Sequence, residues 1–413
     1  MKKLSLTQRI IIGSILGILA GYVFGPNVVH IKFMGDIFLR LVRMVVPILV
    51  FCAIVEAVAS LDIKDLGKIG IKTLALFLFT TTIAAGVALA AMSIFKPTMT
   101  LEGLATAEYK GYMLSGNFID LLVNFIPDNI VKAFAEGTLI QIIVFGVMFG
   151  ISINLLKKNE TVSRLYDDVR ALRTLMMSIV TMFMAIAPFG IFAMLANVVG
   201  ASGTKILLPL LQYVLTVTGA NLVYIIGYTL AVSALCKLNP IQLVKNVSRT
   251  IVIGVATGSS AMSLPTELMD ADERLGLSRK ISNFVLPLGN AINTNGAAIT
   301  TTIASITCAH VFGIELTTQH YIMIAVYAIL ATFGNTTVPG GGIVAVAVVF
   351  QMAGLPLEGV ALFAGVDYFT GLTRIILNVV GDIYCAILVA VPEGELDREI
   401  FNAPNVTIEK KAA

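Results

Sequence analysis

Four polar side chains recur along one apolar stretch near the end of the chain. Within Asp367–Ala390, the residues Asp367, Arg374, Asn378 and Asp382 follow one another at steps of seven, four and four. That spacing puts them on one stripe of a helix, with Ile, Leu, Val and Phe on the other faces. An ionised group at the centre of a bilayer-spanning helix costs roughly 2.5–3.5 kcal/mol on insertion scales. Three ionisable groups on one stripe must therefore face protein or water. The plain reading is helix–helix pairing, with Arg374 held by an Asp. The sharper one is a site for an anion and a cation, and intramembrane ionisable residues favour it. Arg374 supplies a planar, permanently charged fork that matches a carboxylate.

A second polar group interrupts an apolar run at Asn293, Thr294, Asn295 and Gly296. A helix unwound there exposes backbone carbonyls beside the Asn oxygens, the donors a hard cation such as sodium requires. The alternative is a polar kink satisfied by neighbouring helices. Thr80, Thr81 and Thr82 are a weaker signal, because Thr in membrane helices often bonds its own helix carbonyls. Two small polar tips, "GSSAMSLP" with Ser259 and Ser260, and "GNTTVPGGG", offer runs of N–H groups and half-helix N-termini. Both features favour anions.

The elements that position these groups follow from composition. Of 413 residues, 57% are hydrophobic and 13% charged, with a mean hydropathy of +0.91. A soluble domain carries about 25% charged residues, so this is a polytopic membrane protein. The net charge of +3 says little about partners. Spans of about 20 apolar residues are expected near 10–24, 37–58, 73–95, 119–156 (broken at Pro127 and Gly137), 175–199, 207–235, 281–309 and 360–391. Pro47 and Pro188 should kink their helices. The basic start reads as the head of a first, retained span. Lys and Arg gather in alternate loops, which predicts an even number of crossings with both ends in the cytoplasm. The isolated Cys52, Cys236, Cys308 and Cys385 read as small hydrophobes. No metal cluster is expected.

Two apolar stretches do not fit as crossings. In 250–276 the apolar run breaks at Gly258, Ser259 and Ser260, and both flanks are basic. In 322–355 the middle carries Asn335, Thr336, Thr337, Pro339 and four Gly. Such backbone is tolerated in a membrane only where it is buried in protein or lines a cavity. Each stretch reads as a hairpin that enters and returns on one side, and each precedes a polar-interrupted helix. Repeated interrupted segments point to a transporter binding site at mid-membrane. The expected fold is all-α and polytopic: eight transmembrane helices plus two re-entrant helical hairpins.

The chain resembles the dicarboxylate/amino acid:cation symporter family, the glutamate-transporter fold. The resemblance runs nearly end to end and rests on "GDIFLRLVRMVVPILVF", "GSSAMSLPTE", "LPLGNAINTNGAA", "VPGGG" and "RIILNVVGD". It implies inverted repeats and a homotrimer in the inner membrane. It also implies a scaffold from 1–60 and 97–200, a moving transport domain from 61–96 and 201–395, and a cytoplasmic tail at 396–413. The second hairpin would gate from outside, and the transport domain would slide like an elevator.

By position, the resemblance gives Arg374 the distal carboxylate of a small carboxylate substrate. It places Ser259, Ser260, Val338, Pro339, Gly340, Gly342, Asp367, Gly371 and Asn378 around that substrate. Sodium as coupling ion would be held by Gly289, Asn293, Asn378 and Asp382. A second ion would take Thr332, Phe333 and Asn335, and a third Thr80, Thr81, Asn293 and Asn295. No cofactor and no nucleic acid are implied. Four positions depart from the family pattern. Asn295 stands where sodium-coupled members often carry Asp, and Ala297 where many carry a hydroxyl. Gly258 replaces an Arg of some members. Gly371 replaces the Asp that takes the ammonium in amino-acid carriers. The reading is therefore cation-coupled symport of small dicarboxylates, with an amino-acid carrier as alternative and an anion channel more remote. An intramembrane enzyme has no support: G-x-S-x-G, H-E-x-x-H and a Ser/His pairing are missing from the sequence.

Overall fold

A chain this apolar must satisfy its backbone groups within each segment, and helices do so. The computed structural model describes residues 6–59, 67–95, 123, 125–203, 207–332 and 341–402. Among them the regular structure is helical, and one isolated bridge joins Leu277 to Leu396.

In chain order the helices are α1 (Leu6–Phe24), α2 (Lys32–Ala59), α3 (Gly67–Ile94), α4 (Ile130–Glu136), α5 (Leu139–Leu155), α6 (Glu160–Ser202), α7 (Leu207–Cys236) and α8 (Pro240–Thr257). Then come α9 (Leu264–Glu273), α10 (Arg279–Ile292), α11 (Asn295–Val311), α12 (Thr318–Thr332), α13 (Gly341–Met352), α14 (Val360–Ala364), α15 (Asp367–Ala390) and α16 (Arg398–Asn402). Among the described residues, five helical stretches are long and apolar enough to cross a membrane by length and composition. Their outward faces fit lipid: α7 exposes Leu215, Leu222, Val223, Ile226 and Leu230 while burying Tyr213, Val217, Tyr224 and Tyr228.

The helices pack in two sets. α1 and α2 pack along α6, and α5 packs on α2 and touches α6. Small residues make the α1–α6 contact close: a methyl added at Gly13, Gly17 or Gly21 would meet the carbonyl oxygen of Pro188, Phe192 or Ala196 at 2.6, 2.6 and 2.5 Å. The second set centres on α11 and α15, with α3, α7, α8, α10, α12 and α13 packed around them.

Several boundaries differ from the hydropathy reading. The span expected at 175–199 is part of a 43-residue helix, α6, that begins at Glu160. Its first four turns are charged and invisible to an apolar window. The span expected at 360–391 is two helices, because the chain turns at Gly365 and Val366. The break at Gly137 is present: this residue takes a left-handed conformation (φ 69°) and separates α4 from α5. Pro47 and Pro188 sit inside continuous helices.

Candidate functional site

The site is built where α15 crosses the break between α10 and α11. α10 ends at Ile292, and Asn293 and Thr294 leave helical geometry (ψ 53° and 69°) before α11 resumes at Asn295. The N–H of Gly296, in the first turn of α11, needs a partner, and Asn378 Oδ1 of α15 accepts it at 2.9 Å. The amide oxygen of Asn378 thereby closes the start of α11.

One helical turn further along α15, Asp382 is buried, and its Oδ1 accepts from Asn293 Nδ2 at 2.9 Å. Gly289 lies against the same carboxylate: a methyl there would sit 2.5 Å from Asp382 Oδ1. Helix α3 adds two hydroxyls. Thr80 Oγ1 donates to Asn293 Oδ1 at 3.3 Å, and Thr81 Oγ1 donates to Asn295 Oδ1 at 2.9 Å. Asn295 Nδ2 is buried without a partner among the described residues. The arrangement collects carboxylate, amide and hydroxyl oxygens from α3, the α10–α11 break and α15, the hard oxygen donors a cation takes. Thr332 is buried at the end of α12 and donates to the Ile329 carbonyl at 2.6 Å. Phe333 and Asn335 lie outside the described residues.

At the other end of the stripe, Arg374 is 8% exposed yet charged. Asp367, seven residues earlier, takes Nη1 at 2.6 Å and Nη2 at 3.3 Å. A guanidinium has five N–H donors, so three remain, and none has another partner among the described residues. Gly371 lies between the two: a methyl at that position would stand 3.3 Å from Nη2. Gly342 of α13 backs the guanidinium so closely that a methyl would collide with Nη1 and Nη2. Asp367, Gly371 and Arg374 line a cavity of about 410 Å³ together with Thr257, Gly258 and Ile343. Ser259 and Ser260 are buried at the tip between α8 and α9, and Asn290 Nδ2 donates to the Ser260 carbonyl at 3.0 Å. Val338, Pro339 and Gly340 lie outside the described residues.

Some neighbours escaped the sequence reading. Asn221 of α7 donates to Thr373 Oγ1 at 3.1 Å, and Tyr224 OH donates to the Thr80 carbonyl at 2.7 Å. Tyr228 OH and Cys385 Sγ are 3.0 Å apart. An Asn amid a largely apolar helix was the available signal for Asn221. Cys385 shows no polarity that would have placed it beside Asp382.

The family model described as the sodium:dicarboxylate symporter family matches residues 6–391. A proton/sodium-glutamate symport protein of Bacillus caldotenax is 31% identical over 412 residues, covering 97% of each chain. A C4-dicarboxylate transport protein of Burkholderia multivorans is 30% identical over 400 residues, covering 94% of this chain and 92% of its own.

Proposed function

The chain belongs to the sodium:dicarboxylate symporter family, and from that premise we propose that it carries small dicarboxylates inward with sodium as the coupling ion. The observation that carries the choice of substrate is the pairing of Asp367 with Arg374. Asp367 is the one carboxylate lining the cavity among the described residues, and both of its oxygens are engaged. Gly371, beside the guanidinium, supplies no second one. An ammonium brought into this cavity would be desolvated without a counter-charge, at a cost of several kcal/mol. A dicarboxylate needs donors instead, and the three remaining N–H groups of Arg374 face that need. Asn378 and the Ser259–Ser260 tip would take the second carboxylate, with Val338, Pro339, Gly340 and Gly342 closing the site.

Sodium is assigned to the oxygens around Asp382, with Gly289, Asn293 and Asn378, and to the group of Thr80, Thr81, Asn293 and Asn295. A further ion would take carbonyls at Thr332, Phe333 and Asn335. Buried Asp382 has no basic partner among the described residues, so a bound cation would neutralise it. We place α1, α2, α4, α5 and α6 in a static scaffold that trimerises in the inner membrane. The α11–α15 set, with the helix pairs α8–α9 and α12–α13 as re-entrant hairpins, would slide past it as an elevator. The contact pattern supports this division, and eight crossings with both termini inside complete the topology.

A second reading, an acidic amino acid, is favoured by one fact: Asp367 could leave Arg374 for an ammonium when a substrate carboxylate replaces it on the guanidinium. The test is uptake of labelled malate into proteoliposomes under an imposed sodium gradient, against excess succinate or aspartate. Succinate should compete more strongly. Aspartate competing tenfold better (about 1.4 kcal/mol) overturns the dicarboxylate reading in favour of the amino acid. Uptake unchanged in sodium-free buffer under a pH gradient overturns sodium as the driver.

A further inference from the structure

A short segment after α15 reaches the ends of four other helices. α15 stops at Ala390, a tight turn follows over Val391–Glu393, and Gly394, left-handed at φ 70°, turns the chain back. The chain then runs across the helix ends as a strap. Glu393 pairs with Lys72 near the start of α3, and Lys280 Nζ, in the first turn of α10, lies 3.3 Å from Glu395 Oε1. The N–H of Ser278 donates to the Glu395 carbonyl at 3.0 Å, and that of Asp397 to the Gly276 carbonyl at 2.7 Å. These bonds flank the Leu277–Leu396 bridge. Gly276 (φ 68°) permits the approach, because a methyl there would collide with the Asp397 carbonyl.

The strap ends on an anchor. Asp397 Oδ1 accepts from the N–H groups of Glu399 and Ile400 at 2.8 and 3.2 Å and so starts α16. Arg398 donates to the carbonyls of Cys236 at 2.8 Å and Lys237 at 3.0 Å. Carbonyls at a helix C-terminus lack intrahelical partners, and a cation suits that end of α7. Phe401 is completely buried, and its carbonyl accepts from Asn246 Nδ2 of α8 at 2.9 Å. Asn246 is equally buried. The buried ring and amide hold the strap more firmly than the exposed charge pairs do.

Both roots of the α8–α9 pair are therefore in one grip. α8 is held at Asn246, and the chain leaving α9 is held at Gly276 and Ser278. Between roots and tip the two arms are tied together: Asp270 of α9 accepts from Arg249 Nε at 2.8 Å and from Thr250 Oγ1 at 2.5 Å. Arms tied in this way tilt as a unit. α8 has 18 residues and is about 27 Å long, so a displacement at the roots is carried to Ser259 and Ser260. The far side leaves little play, because a methyl at Gly254 would stand 3.2 Å from Ile375 Cγ2, next to Arg374.

We propose that residues 393–402 are a positioning strap for the α8–α9 tip, with Phe401 as its anchor. While the ring is seated, the tip stays beside Arg374 with the Ser260 carbonyl on Asn290. When the ring leaves, the roots shift, the pair tilts and the tip parts from Asn290. Phe401 does not line the cavity beside Arg374, and it acts through α8. The effect on substrate rests on the transport reading, whereas the placement of the tip stands without it.

The test joins thiol labelling to uptake. The four native cysteines are buried, and the Cys236 carbonyl is held by Arg398, so Cys236 reports on the strap. Ser263 is buried at the tip, and Ser263→Cys reports there. In detergent-solubilised Ser263→Cys protein both thiols should stay protected, with labelling read on separate peptides by mass spectrometry. Adding Phe401→Ala should speed both at least about tenfold through local opening. Cys236 exposed with the tip thiol still protected overturns the proposal, and so does a variant in which neither gains reactivity. In proteoliposomes, Phe401→Ala should raise KM for the dicarboxylate about tenfold with the maximal rate per folded protein nearly kept, and Phe401→Leu should restore KM. An unchanged KM with a lowered maximal rate means that the strap supports folding alone, which overturns the positioning role. Should Phe401→Ala fail to assemble, Arg398→Gln is read by the same criteria. If wild type takes up no dicarboxylate, the transport reading has failed, and the thiol arm still decides whether the strap places the tip.

Discussion

Asp382 has a hydrogen bond and a charge that can be separated by one substitution. In Asp382→Asn the oxygen that accepts from Asn293 Nδ2 remains, so the break between α10 and α11 keeps its support. The negative charge is lost. We expect the variant to assemble normally but to lose sodium-dependent thermal stabilisation, with apparent sodium affinity weakened at least about tenfold, or 1.4 kcal/mol. A wild-type sodium response in that variant would remove Asp382 from ion binding. Much at this scale was legible in the sequence. Asp367, Arg374, Asn378 and Asp382 announce themselves because ionisable groups are costly in a bilayer, and their spacing gives the shared face. The contacts of Asn221, Tyr228 and Cys385 were not legible, because they depend on which helices become neighbours.

At the scale of elements, the α1–α6 seam depends on residues with almost no side chain. Gly17→Val would drive its Cβ to within 2.6 Å of the Phe192 carbonyl oxygen, which belongs to a helix backbone and cannot swing away. Overpacking of this kind costs roughly 1–3 kcal/mol. Gly86 of α3 is the matched control: it is exposed, and a methyl there meets nothing within 4 Å. Gly86→Ala should hold stability or raise it by about 0.5–1 kcal/mol through helix propensity. Thermal unfolding in detergent, followed by size-exclusion chromatography, should show the first variant melting several degrees lower and the second unchanged or higher. Equal melting of the two would mean that the seam contributes nothing. Glycines every fourth residue are common in apolar helices, so this seam could not be read beforehand. The interruption at Asn293 could, because a polar run in an apolar helix has few other uses. The turn at Gly365 escaped because one glycine between apolar residues leaves hydropathy unchanged.

At the scale of the whole molecule, the two helix sets face each other across a crevice of about 430 Å³. It is walled by Glu56, Arg170 and Arg173 on one side and by Phe284 and Asn290 on the other. Arg173 Nη1 and Glu56 Oε2 are 2.8 Å apart, and Arg170 Nε lies 3.5 Å from Glu56 Oε1. These charges sit where α6 changes from its charged first turns to its apolar remainder. A helix of 43 residues is about 65 Å long, roughly twice the 30 Å of a bilayer's hydrocarbon. Long and apolar enough to cross a membrane by length and composition, α6 would serve as a ruler across it, with the arginines as its mark. When lipid tails shorten, the ruler tilts to keep its apolar length covered, and α1 and α2, fastened along it, tilt as well. The helix that carries both Arg374 and Asp382, α15, is fastened instead to α7, α8, α10 and α11. Acyl-chain length should then change the turnover rate of reconstituted protein while leaving equilibrium affinity for substrate nearly constant. Affinity that follows lipid thickness as steeply as rate does would mean that the two sets move as one. Read this way, the membrane is a mechanical input to the protein, applied along α6 and felt at the crevice.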